Sequence, residues 1–146
     1  MDRRELLLAA GGLALTATAS KVFGADDKRH EHHHAESVKN AALTTAAFEC
    51  IRTADICLKH CFEEFAMGNV ELAACAAGVN ELKIACEALA SFSGLGSNHL
   101  AAMSKVAMQV CDACYRECRR HGKHQPCLDC ADACAKCIDQ CKKLAA

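Results

Sequence analysis

From Ser37 onward the apolar positions of the chain recur every three or four residues, and charged side chains fill the places between them. That spacing is the period of an amphipathic helix, and no run of alternating β-branched residues competes with it. Helix breakers interrupt the pattern at Gly68-Asn69, between Ser91 and Asn98 (with Gly94 and Gly96), and between Gly122 and Pro126. Three breaks predict four helices, at roughly residues 37–67, 70–91, 98–121 and 126–143. Each would be about 27 to 46 Å long at 1.5 Å per residue. Asn69 is placed to cap the second helix, with Glu71 in its first turn, and Ser97 or Asn98 to cap the third. The third closes on Arg119-Arg120-His121 and then Gly122, cations in the last turn followed by a C′ glycine. Pro126 suits the first position of the fourth helix, where its missing N–H is harmless. Short connections make successive helices antiparallel neighbours. The predicted fold class is therefore all-α, an antiparallel up-down-up-down four-helix bundle.

The residues ahead of Ser37 read differently. Arg3-Arg4 stands directly before the apolar run Leu6-Leu7-Leu8-Ala9-Ala10, and a weakly apolar stretch continues to Ala19. This is the layout of a twin-arginine signal peptide spanning residues 1–25, too short to span a bilayer as an anchor. Ala17-Thr18-Ala19 fits the small-x-small cleavage rule, but Gly24 or Ala25 lies nearer the polar switch at Asp26 and is preferred. Export to the periplasm or another extracytoplasmic compartment is the expectation. Residues 26–36 hold His30, His32, His33 and His34 and read as a flexible polar tail, with loose metal capture as the sharper alternative. The bundle domain then covers residues 37–146, and no other segment of the chain is apolar enough to suggest membrane insertion.

Composition changes the picture at one residue type. The charges nearly cancel, 17 basic against 18 acidic, which gives no electrostatic case for nucleic acid or an anionic membrane surface. Aromatic residues are only 4% of the chain, so large rings do not fill the core. Cysteine is abundant instead, 13 residues in 146. In a short exported chain that abundance first suggests a disulfide scaffold.

The positions argue otherwise. The cysteines are Cys50, Cys57, Cys61, Cys75, Cys86, Cys111, Cys114, Cys118, Cys127, Cys130, Cys134, Cys137 and Cys141, and none falls in a helix break. Within each predicted helix their spacings are three, four, seven or eleven. At 100° per residue, seven residues fall about 20° short of two turns and eleven about 20° past three, so each helix carries its thiols on one narrow stripe. In the fourth helix five cysteines fill successive a and d positions, where a bundle normally places Leu, Ile or Val. The opposite face holds Asp129, Asp132, Lys136, Asp139 and Lys143, with Asp132–Lys136 and Asp139–Lys143 at ion-pair spacing. In the second helix Cys75 and Cys86 are interleaved with Leu72, Val79, Leu82 and Leu89. The thiols are predicted to line the core. Cysteines three or four apart on one helix are poorly oriented for bonding to each other, and an odd count leaves at least one unpaired.

A thiol-lined core asks for a soft cation, which leaves Cu(I) and Zn²⁺. A ferredoxin cluster needs C-x2-C-x2-C-x3-C-P, whereas the fourth helix reads C-x2-C-x3-C-x2-C-x3-C with no Pro after it. Haem attachment needs a His that Tyr115, Ala131 and Ile138 replace. Zn²⁺ with four thiolates carries a net −2, and several such sites in one dry core would be costly. One Cu(I) per bridging thiolate is neutral, so charge favours copper along a continuous column. A zinc or thiol redox protein, with Cys127-Leu128-Asp129-Cys130 as its C-x-x-C, and a disulfide-braced exported helical module are the alternatives.

Two stretches carry a family resemblance: Cys57-Leu58-Lys59-His60-Cys61-Phe62-Glu63, and the series from Cys111, Cys114 and Cys118 through Cys127, Cys130, Cys134 and Cys137 to Cys141. With the twin-arginine leader, the chain resembles the exported branch of the bacterial copper storage proteins. The resemblance implies a non-enzymatic store of multiple Cu(I) ions held by all 13 core cysteines, about one copper per thiol. It also implies a homotetramer of bundles, a copper-requiring enzyme or chaperone as recipient, and an open mouth where the first and third helices finish. His60 and Met67 match the family's mouth ligands, while Glu64 and Leu72 stand where other members carry methionine. Fewer or weaker entry sites are therefore expected. Met103, Met108 and His99 lie towards the other end and read as core or surface.

Overall fold

A computed structural model describes residues 40–145, so the expected signal peptide and the His30–His34 segment lie outside the described residues. Four helices follow one another: α1 Ala41–Ala66, α2 Ala73–Gly94, α3 Leu100–Arg119 and α4 Gln125–Ala145. No strand occurs among the described residues. Each helix packs along two neighbours, α1 on α2, α2 on α3, α3 on α4 and α4 back on α1, which closes a square. Pairings across it run in opposite numerical directions. Thr44 at the start of α1 meets Ser93 at the end of α2 (Oγ1 to Oγ 2.7 Å). Asp55 meets Lys83 at 2.6 Å, and His60 near the end of α1 meets His124 just before α4. The antiparallel four-helix bundle predicted by periodicity and breakers is the observed fold.

The boundaries move for local reasons. Asn69 does not cap α2: its Oδ1 accepts the Glu71 N–H at 3.1 Å, a turn that precedes a helix starting at Ala73. Ser97 likewise accepts the His99 N–H at 3.2 Å, and His99 holds the N-cap position of α3. Both side chains organise the approach to a helix instead of its first turn. The second helix continues past Ser91 to Gly94, and the Ser91 hydroxyl turns back to donate to the Glu87 carbonyl at 2.9 Å, which keeps it compatible with the helix. Gly68 and Gly96 take positive φ, +81° and +59°, directly after the C-cap residues of α1 and α2. Gly122 does not adopt that conformation, so the expected C′ glycine of α3 is absent there. The turn is made by Arg120 and His121 N–H groups bonding back to Glu117 and Cys118 carbonyls.

The outer face of α4 is charged as expected, but its pairs differ. Asp132 binds Arg119 of α3, and Asp139 binds Lys142 at 3.4 Å, while Lys143 turns to Gln140. A carboxylate beside an antiparallel neighbour finds the longer, better-placed guanidinium across the groove.

Inside the square the buried stripe changes character along its length. Leu43, Ala47, Leu89, Ala90, Leu100 and Ala107 fill the end where α1 and α3 begin. The remainder is dominated by cysteine, with Leu72 from the N-cap position ahead of α2 and Val79 and Leu82 from within it. Met103 and Met108 pack half-buried against this core, and His99 is exposed. No helix among the described residues is long and apolar enough to cross a membrane.

Candidate metal centre

All 13 cysteines are free and buried, none more than 2% exposed. Their positions follow from the spacings: three, four and seven residues return a side chain to one face of a helix. Four such faces point at one axis.

The sulfurs gather at levels. Cys50, Cys86, Cys111 and Cys137, one from each helix, form a four-thiol rung with all Sγ atoms within 4.8 Å of one another. Cys57, Cys61 and Cys75 form a second group towards the end of α1, and Cys114, Cys130 and Cys134 a third between them. The remaining thiols join the groups. Cys127 Sγ lies 3.7 Å from Cys57 and 3.8 Å from Cys75. Cys118 lies 3.7 Å from Cys75 and 3.8 Å from Cys114. Cys134 approaches Cys114 and Cys130 on one side and Cys111 and Cys50 on the other, and Cys141 continues from Cys137. The result is one column of sulfur from Cys61 and Cys127 to Cys141. Its spacings are those of touching thiols, far from the bond of about 2.05 Å in a disulfide.

Burial and crowding set the protonation of the column. Burial, with the neighbouring Cys75, pushes the Cys61 thiol up to about 11. Cys127 is pulled down by the Cys57 thiol but pushed further up by Cys75 and burial, to about 12. Cys118 is raised chiefly by donating towards Cys114, and Cys134 towards Cys111. Cys130 and Cys137 go the other way, because they accept from several neighbours, Cys114 foremost for the first and Cys111 for the second. Most of the shifts in the column therefore favour the protonated thiol, and Cys130 and Cys137 are the two that run downward.

At the end where α1 finishes, His60 Nε2 and His124 Nδ1 lie 2.7 Å apart with the rings tilted, and Glu64 stands 4.0 Å from His60. This is the end at which the mouth was expected, and His60 is half-buried there. Met67 is the C-cap residue of α1 and 72% exposed. Leu72 is fully buried, closing part of that end with a hydrocarbon.

The copper storage protein family, Csp, matches residues 34–146 of the chain. The chain belongs to that family. The "uncharacterized cysteine-rich protein YhjQ" of Bacillus subtilis (strain 168) is 28% identical over 105 residues, which cover 72% of this chain and 94% of YhjQ. The structure of Cu(I)-bound copper storage protein BsCsp3 superposes with a TM-score of 0.68 at 27% identity, over 73% of this chain and 98% of that one.

In this copper storage family member, sequence reasoning missed His124 and the use of Glu64 as its companion. His124 lies in a connection rich in polar residues, and only the antiparallel topology brings it to His60. Glu64 lies one turn beyond His60, a spacing that could have flagged the pair.

Proposed function

We propose that this protein stores multiple Cu(I) ions in its thiol column, for supply or for detoxification, and that it is not an enzyme. The observation that carries this reading is the unbroken succession of buried sulfurs from Cys61 to Cys141. All 13 thiols serve as ligands, with about one ion per thiolate, since bridging thiolates bind soft Cu(I) without accumulating charge. The Cys50, Cys86, Cys111 and Cys137 rung has the donor set of a zinc site, but it adjoins Cys134 and Cys141 directly. Filling the whole column with ZnS₄ units would leave a net charge of −2 at each. Sequestration, not catalysis, also fits the burial, since none of these cysteines is more than 2% exposed.

Copper enters at the His60 and Met67 end, displaces thiol protons and moves inward by exchange between touching thiolates. The Arg3-Arg4 leader supports export by the twin-arginine route to the periplasm or another extracytoplasmic compartment. Export of a folded bundle would shield the thiols from oxidation. The family resemblance supports a homotetramer, with a copper-requiring enzyme or chaperone as recipient. Anaerobic titration of reduced protein with Cu(I) against a competing chelator tests the reading. Saturation near 13 ions per chain is expected. Saturation at one or two would refute storage, and few free thiols in fresh metal-free protein would favour a disulfide-braced module.

A further inference from the structure

The mouth holds a second donor set whose chemistry differs from that of the column. Donor atoms of His60, Glu64 and His124 all lie within 4.8 Å of one another, half-buried, and no cysteine belongs to the group. Its donors are two imidazole nitrogens and a carboxylate oxygen. That set suits borderline divalent ions, while Cu(I) has softer thiolates close by.

Three observations describe a prepared site. The carboxylate is oriented from behind: Asn69 Nδ2 donates to Glu64 Oε2 at 2.7 Å, so the other oxygen, Oε1, is the one nearest His60. Asn69 is itself fixed by accepting the Glu71 N–H. Such outer hydrogen bonds are what hold ligating carboxylates in place. The spacing fits as well. A tetrahedral ion with bonds of about 2.0–2.2 Å sets its donors about 3.4 Å apart. The observed 2.7 Å and 4.0 Å bracket that value, and side-chain rotations of well under about 1 Å reconcile them. Finally, the donors come from α1 and from the residue before α4, so an ion bound there ties two elements together across the mouth.

We propose that His60, Glu64 and His124 form a separate site for one borderline divalent cation of the zinc class, at the entrance to the sulfur column. Two histidines and a carboxylate, with a fourth position open, are an established donor set for such ions. Occupied, the site narrows the path to Cys61 and Cys127 and slows copper exchange.

The test starts from protein filled anaerobically with Cu(I), its copper per chain measured first, so that the thiols are not available to zinc. Titration with Zn²⁺ alone should then show one further ion per chain. Glu64→Gln and His124→Gln should each weaken it at least tenfold, and Asn69→Ala by about tenfold or more through the freed carboxylate. Transfer of Cu(I) to an external chelator should slow when zinc is bound in the parent protein and not in Glu64→Gln. In parallel, Co²⁺ added to the copper-filled protein should give ligand-field bands without cobalt–thiolate charge transfer, and Glu64→Gln should lose them. The copper content measured first shows separately whether the column has filled. Zinc that displaces copper, a cobalt–thiolate band in the copper-filled protein, or unchanged binding in Glu64→Gln would each overturn the proposal.

Discussion

Replacing Cys134 with alanine should divide the store in two. Cys134 is the thiol that faces both ways, towards Cys114 and Cys130 on the mouth side and towards Cys111 and Cys50 beyond. Seven thiols lie on the mouth side (Cys57, Cys61, Cys75, Cys114, Cys118, Cys127 and Cys130), and five lie deeper (Cys50, Cys86, Cys111, Cys137 and Cys141). Without the intermediate thiolate an ion must cross with one bond missing. A loss of even about 1.4 kcal/mol in that crossing slows it roughly tenfold. The fold should survive: the deleted sulfur is fully buried, and removing an atom of that size costs about 1–2 kcal/mol including the cavity. Circular dichroism checks the helices, and anaerobic stopped-flow mixing with a Cu(I) donor follows filling. The expected trace is a parent-like phase for about seven ions, then a phase at least about tenfold slower for about five. A single phase at the parent rate, reaching the parent capacity less one ion, would refute the relay through Cys134.

Other outcomes follow from the same geometry. The raised Cys61 and Cys127 thiols, about 11 and 12 against an ordinary 9.0, stay protonated in the fold where an unfolded chain would ionise. Their contribution to the stability of metal-free protein is complete below about pH 9 and is lost as pH rises towards 12, which denaturant melts across that range would show. A stability that rises over the same interval would contradict the protonated column. Because Cu(I) displaces those protons, affinity at the mouth should fall up to about tenfold for each unit of pH lowered and each proton released, measured by chelator competition. At the hydrocarbon end, Leu89→Ala should cost about 2–5 kcal/mol and lower the melting temperature by roughly 8 °C or more, because Leu89 is fully enclosed. Copper capacity should not change in that variant.

The bundle was legible because its evidence is local. Glycine, proline and short polar runs punctuate a helical period, and a period of three, four and seven assigns the cysteines to one face whatever the neighbours do. Cap assignments failed by a few residues at Asn69 and Ser97 because the same side-chain oxygen can serve a turn or a helix start, and the choice depends on the connection around it. The ion pairs of α4 were misassigned because Asp132 found Arg119 on another helix, a partner that spacing along one helix does not reveal. The column's cysteines could be placed from sequence, but the order in which they touch could not. Cys134 as the link between two groups is a property of four helices at a given height relative to one another. His124 was invisible for the same reason: its chemistry depends on His60, far away in sequence and adjacent only once the bundle closes.

The hydrocarbon cap at the start of α1 and α3, with Leu43, Leu89 and Leu100 in place of cysteine, makes the sulfur column a blind alley. Traffic in a blind alley is ordered in time. With entry at the His60 end, as proposed above, ions that arrive first would settle nearest Cys141 and leave after those that arrived later, a record of the loading history. Two copper isotopes supplied in succession would return in reverse order. For a cell, such a store would have a readily spent fraction near Cys61 and a reserve beneath it, drawn only when the upper positions have emptied.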